Sequence, residues 1–175
     1  MIFDNDILFG IIILIVGMGF FTLSMVEHTD SYADAVKTSI LYDKASDQLK
    51  SIVSDGTVES AILLINNGYE SKVEEVLKNR IDLKNYRIVI GDYTISQGDL
   101  NDKDIVVVST VIVLNRTEGW YGVYGNEKTL RLTDRCFLSE EEVYSYLGGN
   151  SHSFVRAIYY FKSSTPINVS LICGG

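Results

Sequence analysis

Residues 7–26 read ILFGIIILIVGMGFFTLSMV, 20 positions without one charged side chain. As a helix rising 1.5 Å per residue, the run is about 30 Å long, the thickness of a bilayer's hydrocarbon core. Thirteen of the 20 are Ile, Leu, Phe or Val. Each favours insertion at the centre of a membrane helix by roughly 0.3–0.6 kcal/mol. A helix that is apolar on every side has no face to give to water and must be surrounded by lipid or by other helices. The run does not read as a secretory signal, because an acidic MIFDND precedes it, EHTD follows it, and no small-residue cleavage site is present. The first basic residue of the chain is Lys37, so the positive-inside rule orients nothing here.

Beyond residue 26 the helical period persists with a change of character. Tyr32, Ala33, Val36, Ile40, Leu41, Ala45, Leu49, Ile52 and Val53 recur at three- and four-residue steps, the signature of a one-sided helix. Asp34, Lys37, Asp43, Lys44, Asp47 and Lys50 fall between them as a solvated face. Asp55-Gly56 supplies the stop. One helix over about residues 5–53 is therefore predicted, roughly 70 Å long. Residues 1–53 form this long hydrophobic N-terminal helix, and residues 54–175 form a head.

Within the head, residues 58–66 and 71–79 read as short helices separated by the turn Asn67-Gly68. The period then changes. Residues 86–90, 105–114, 120–124, 129–132, 154–161 and 167–173 are rich in β-branched and aromatic side chains, broken by Gly, Asn, Asp and Ser, as antiparallel strands are. DIVVVSTVIVL, residues 104–114, is too apolar for an edge and is expected at the centre of the sheet. SEEEVYSYL, residues 139–147, reads as a helix capped by Ser139, boxed by Glu142 and ended by Gly148-Gly149. The fold class is α+β: a long helix, then a head of short helices and an antiparallel sheet.

The chemistry of the chain is sparse. Fifteen Lys and Arg against 23 Asp and Glu give a net charge of −8, which repels phosphate backbones and argues against nucleic-acid binding. No phosphate-binding Gly-rich loop, no H-E-x-x-H and no C-x-x-C occurs. His28 and His152 stand alone and read as surface histidines; Glu140, Glu141 and Glu142 suit a helix's first turn. Asp99, Asp102 and Asp104 could bind calcium weakly but read more simply as a solvated turn. No catalytic residue, metal ligand or cofactor is assigned, and the chain is not read as an enzyme. Cys136 and Cys173 are the two cysteines. In an oxidising place they would close a loop of 38 residues, worth about 4 kcal/mol in the chain-entropy model; in a reducing place they are two thiols. Asn115 and Asn168 head N-x-[ST] tripeptides and are candidate glycosylation acceptors.

The first ten residues, MIFDNDILFG, resemble the mature start of archaeal type IV pilin-like proteins. Members often begin Gln-Ile-Phe-Ser-x-Asp-x-Leu-Phe-Ala after a prepilin peptidase clips a short basic leader. Ile2, Phe3, Asp6, Leu8 and Phe9 match; Met1, Asp4 and Gly10 depart. A C-terminal cysteine closing a loop is also similar to the pilin pattern.

The resemblance implies a mature form without its leader, inserted in the membrane at first and then packed with copies of itself into an extracellular cell-surface filament. The prepilin peptidase and a pilus assembly machinery would be its partners. The filament core would be lined by Ile7, Leu8, Phe9, Ile11, Ile12, Leu14, Ile15, Phe20 and Phe21, with Gly17 and Gly19 admitting close helix approach. In a dry core the charges of the Met1 amine, Asp4 and Asp6 need partners, so Asp6, and after it Asp4, is expected to meet an N-terminal amine. An acidic first turn favoured by the helix dipole explains the same residues. A single-span anchored protein whose head binds a ligand or partner is the alternative; a viral coat protein and an extracytoplasmic enzyme stand further off.

Overall fold

The computed structural model describes residues 3–100, 105–149, 152–162 and 165–174, and within these the side chains from residue 13 onward apart from residue 30. The long helix α1 spans Phe3–Ser54. It stops where Gly56 takes a φ of 81°, a left-handed conformation that is free of strain without a Cβ. The Asp55 carboxylate then accepts from the N–H of Thr57 at 3.0 Å and starts the next helix.

Packing divides the chain into two units, Met1–Ile40 and Leu41–Gly175. The division falls inside α1 and not at its end, because Ala45, Leu49 and Ile52 are buried in the head's core. Tyr32, Val36 and Ile40, earlier members of the same apolar stripe, are exposed.

The head unit is α+β. Helix α2 (Thr57–Ile65) is buried along most of its length, and its Thr57 hydroxyl lies 3.4 Å from both backbone polar atoms of Leu130. Helix α3 (Glu70–Arg80) ends on Arg80, whose guanidinium donates to Asp55 at 3.0 Å and to Ser51 at 2.7 Å. That ties the end of α3 to the end of α1. Arg116 makes the matching tie to Glu59 of α2 at 2.9 Å.

Strands β1 (Asn85–Ile90), β2 (Tyr93–Gln97), β3 (Ile105–Ile112) and β7 (Ile167–Gly174) form one antiparallel sheet in the order β2-β1-β7-β3. Strands β4 (Gly119–Gly125), β5 (Leu130–Leu132) and β6 (Phe154–Tyr160) form a second in the order β5-β4-β6. Two expectations are corrected. The strand expected at the centre, β3, is an edge strand; β1 and β7 are the interior ones. Its inward row, Val106 and Ile112, is buried, while Ile105, Val107 and Val111 point outward and are half exposed. A β-branched run with no charge is thus compatible with an edge once one face is covered. Strand β2 was not expected; Gly91, at a φ of 58°, makes with Asp92 the two-residue link that folds it back on β1.

Helix α4 (Glu140–Leu147) begins as its sequence predicts. The Ser139 hydroxyl accepts from the N–H of Glu142 at 3.4 Å, and the Glu142 carboxylate accepts from the N–H of Leu138 at 3.1 Å. Val143 and Leu147 bury its inner face over the second sheet. There Gly122 leaves the room: a Cβ would come within 2.5 Å of Leu147 Cδ1 and 2.9 Å of Val143 Cγ1.

Gly122→Ala is therefore expected to lower stability by about 1–3 kcal/mol through overpacking, read as a lower urea midpoint at unchanged slope. A second test concerns Tyr86, buried at the start of β1, whose phenol is pushed up to about 12 by burial and then by the Glu74 carboxylate. Its neutral form is the one the fold favours, so its contribution is intact below the ordinary value of 10.0 and is lost as pH rises toward 12. A pH series of urea midpoints should fall in that window, and Tyr86→Phe should flatten the fall.

Candidate assembly surface

The residues that could carry an assembly function lie on α1. Every described side chain from residue 13 to residue 29 is exposed. Leu14 is 61%, Phe20 71% and Phe21 65% accessible, and Ile13, Ile15, Val16, Met18, Leu23, Met25 and Val26 are exposed beside them. These side chains point all round the helix, as consecutive residues 100° apart must. Burying one large aliphatic or aromatic side chain is worth about 1.5–3 kcal/mol, so ten of them in water leave a large unrealised gain.

The two threonine hydroxyls of this segment bond back to their own helix. The Thr22 hydroxyl donates to the carbonyls of Met18 at 2.8 Å and Gly19 at 3.0 Å, and that of Thr29 donates to Met25 at 2.8 Å. Both hydroxyls are satisfied by their own helix, and their methyl groups join the apolar surface. A Cβ on Gly17 or Gly19 would meet nothing within 4 Å. Among the described residues nothing packs on these glycines, which leave notches where a second helix can approach closely.

Among the described residues, no helix is long and apolar enough to cross a membrane. The described part of the apolar run starts at residue 13. Ile7, Leu8, Phe9, Ile11 and Ile12 of the expected core, and Met1, Asp4 and Asp6 of the expected charge pairing, lie outside the residues whose side chains are described. Of the expected core, Leu14, Ile15, Gly17, Gly19, Phe20 and Phe21 are all on the exposed stretch.

The other predicted sites are in the head. Asn115 is exposed just after β3, and Asn168 is exposed on β7 opposite Val111. His152 stacks against Tyr124 with ring centres 4.6 Å apart, and His28 is exposed on α1. Asp102 and Asp104 lie outside the described residues, among which no three His, Cys, Asp or Glu gather closely enough to hold a metal ion.

The disulfide is corrected: Cys136 and Cys173 are both free thiols. Cys173 is buried on the interior strand β7, opposite Tyr86 and Val106. Cys136 is exposed, beside Gly119 at the start of β4. An even number of cysteines does not say where the fold will put them, and here Cys173 lies on a strand and Cys136 in the loop between β5 and α4. Burial pushes the Cys173 thiol above its ordinary range, which withholds the reactive thiolate.

The sequence pattern did not anticipate two features of the head. One is the isoleucine-lined hollow beside the β1–β2 turn, built from Ile62, Ile65, Ile90 and Ile167. The other is the exposed Leu138, held just before α4. Gly91-Asp92 between two alternating runs was the available signal for the turn; the hollow itself joins three distant segments.

No protein-family model matches the chain, and no solved structure matches it. It is similar to the uncharacterized protein MJ1471 of Methanocaldococcus jannaschii, with 32% identity over 173 residues, 98% of this chain and 97% of that protein. The match therefore takes in both the long helix and the head.

Brief treatment of the native protein with iodoacetamide at neutral pH should alkylate Cys136 and leave Cys173 unmodified until denaturant is added. Peptide mapping by mass spectrometry reads this directly; equal protection of both cysteines would restore the disulfide.

Proposed function

We propose that this chain, which belongs to the family of the Methanocaldococcus jannaschii protein MJ1471, is the structural subunit of a type IV pilus-like filament. The observation that carries the reading is the exposed, uncharged stretch of α1 over residues 13–26, apolar on every side and, among the described residues, packed into no core. Such a surface is stable only when enclosed. Copies of the same helix enclose one another with no second component, and Gly17 and Gly19 let them approach closely.

In this reading the apolar helix rests in the membrane before assembly and in the filament core afterwards. The head stays outside, acidic and well hydrated, and serves adhesion or surface attachment. The subunit works by packing, with no chemical step. The N-terminal resemblance to pilin-like proteins supports the same conclusion.

Leu14→Arg places a guanidinium where a dry helical core offers it no partner, a cost of several kcal/mol. Filament yield, measured by electron microscopy and by the pelleted fraction of material sheared from cells, should fall to background. The head should keep its wild-type unfolding midpoint, since among the described residues the first buried core residue on α1 is Ala45. Wild-type chain found only in detergent-solubilised membranes, with no filaments on the cells, would favour the anchored, non-polymerising protein.

A further inference from the structure

We infer that the heads of neighbouring copies dock head to tail, Leu138 of one copy entering the isoleucine-lined hollow of the next, with Arg135 of the first pairing with Asp92 of the second. This deepens the filament reading, on which it rests for the supply of aligned copies.

Leu138 is 90% accessible, the most exposed large apolar side chain of the head. It is not a loose residue. The preceding Phe137 is bridged to Trp120 by two backbone hydrogen bonds, of 3.2 and 2.8 Å, and its own N–H is held by the Glu142 carboxylate at 3.1 Å. A side chain presented on a fixed backbone loses little freedom on docking. Beside it, the Arg135 guanidinium lies over the rings of Phe137 and Tyr146, 4.8 and 4.5 Å from their centres. Among the described residues it has no carboxylate partner.

The hollow is open and about 430 Å³ in volume, between the end of α2 and the β1–β2 turn. Such a volume is in the range that receives bulky groups. Its floor is the buried Ile62 and Ile90, its walls Ile65, Tyr93 and Ile167, and Asp92 stands on its rim. Asp92 has no cationic partner among the described residues.

Both halves of the contact are therefore unsatisfied within one chain, and their charges are opposite. A knob and a pocket on different parts of one molecule make a heterologous contact, which propagates into an open array when it does not close on itself. A small ligand would account for the hollow alone. It would leave Leu138 and Arg135 unexplained, whereas a second copy accounts for all of them. With a net charge of −8 on each chain, like copies repel, which gives an oppositely charged pair at the contact a role in orienting them.

The test uses the full chain carrying Glu140→Cys, beside the intact Leu138, and Asn66→Cys in a Cys136→Ser background, oxidised gently on native filaments and, separately, in detergent. Asn66 lies on the hollow's rim. A ladder of disulfide-linked oligomers is expected on non-reducing gels, while either single substitution gives no ladder. Monomers alone, or a dimer band that a single substitution also yields, overturn the contact. Arg135→Asp or Asp92→Arg should each weaken the ladder about two- to fivefold, the range for a partly exposed ion pair. The two together should restore it, and a double variant as weak as the single ones overturns the pairing. No ladder from intact filaments removes this contact and leaves the filament reading standing. A ladder from a chain that never forms filaments does the reverse.

Discussion

A helix without charge over 20 consecutive residues cannot be solvated along any of its faces, and the architecture of this protein follows from where that helix can go. The head does not take it in. Its core already holds α2, the inner face of α3 and the inward rows of both sheets. Only from Leu41 onward does α1 contribute, through Ala45, Leu49 and Ile52. The helix thus changes role along its length with no break in its backbone. One stretch is one-sided and completes the head; the other is apolar all round and needs a companion from outside.

The transition has a simple cause in the charges. Asp34, Lys37, Asp43, Lys44, Asp47 and Lys50 give the later turns a solvated face, so burying the opposite face against the head satisfies both. No such division exists among residues 13–26, where every side chain is apolar or small and the one threonine is bonded back to its own helix. Enclosure there has to be complete. Lipid provides it without order, since acyl chains fit any apolar shape. Sister helices provide it with order, because side chains interdigitate at the density of a protein interior.

What was legible in the sequence divides along the range of the interactions involved. The long helix, its stop at Asp55-Gly56 and the Ser139–Glu142 cap of α4 are local, and each was readable from a few adjacent residues. The position of β3 was not. Its lack of charge suggested burial on both faces, but a strand's place in a sheet is set by its partners, and β7, from the far end of the chain, sits between β3 and β1. The same long-range pairing carries Cys173 into the sheet interior, away from Cys136. The hollow was hidden for a like reason, since Ile62, Ile90 and Ile167 look like ordinary core positions until the fold leaves one side of them open. Leu138 reads as one apolar residue in a polar loop, and only its accessibility and its fixed backbone set it apart.

Cohesion and registration are separate problems for a chain built this way. Apolar burial is strong but non-directional, and a helix smooth on all sides can slide or rotate against its neighbours with little change in buried area. An assembly held by such helices alone would have no defined step between subunits. A defined step requires contacts that are lost when the offset is wrong, and these need shape and charge at fixed positions. The acidic, folded head is where this chain carries fixed positions of that kind. In the proposed filament, helix and head would contribute differently: the first would supply most of the free energy of association, and the second would select one arrangement among the many that the first allows.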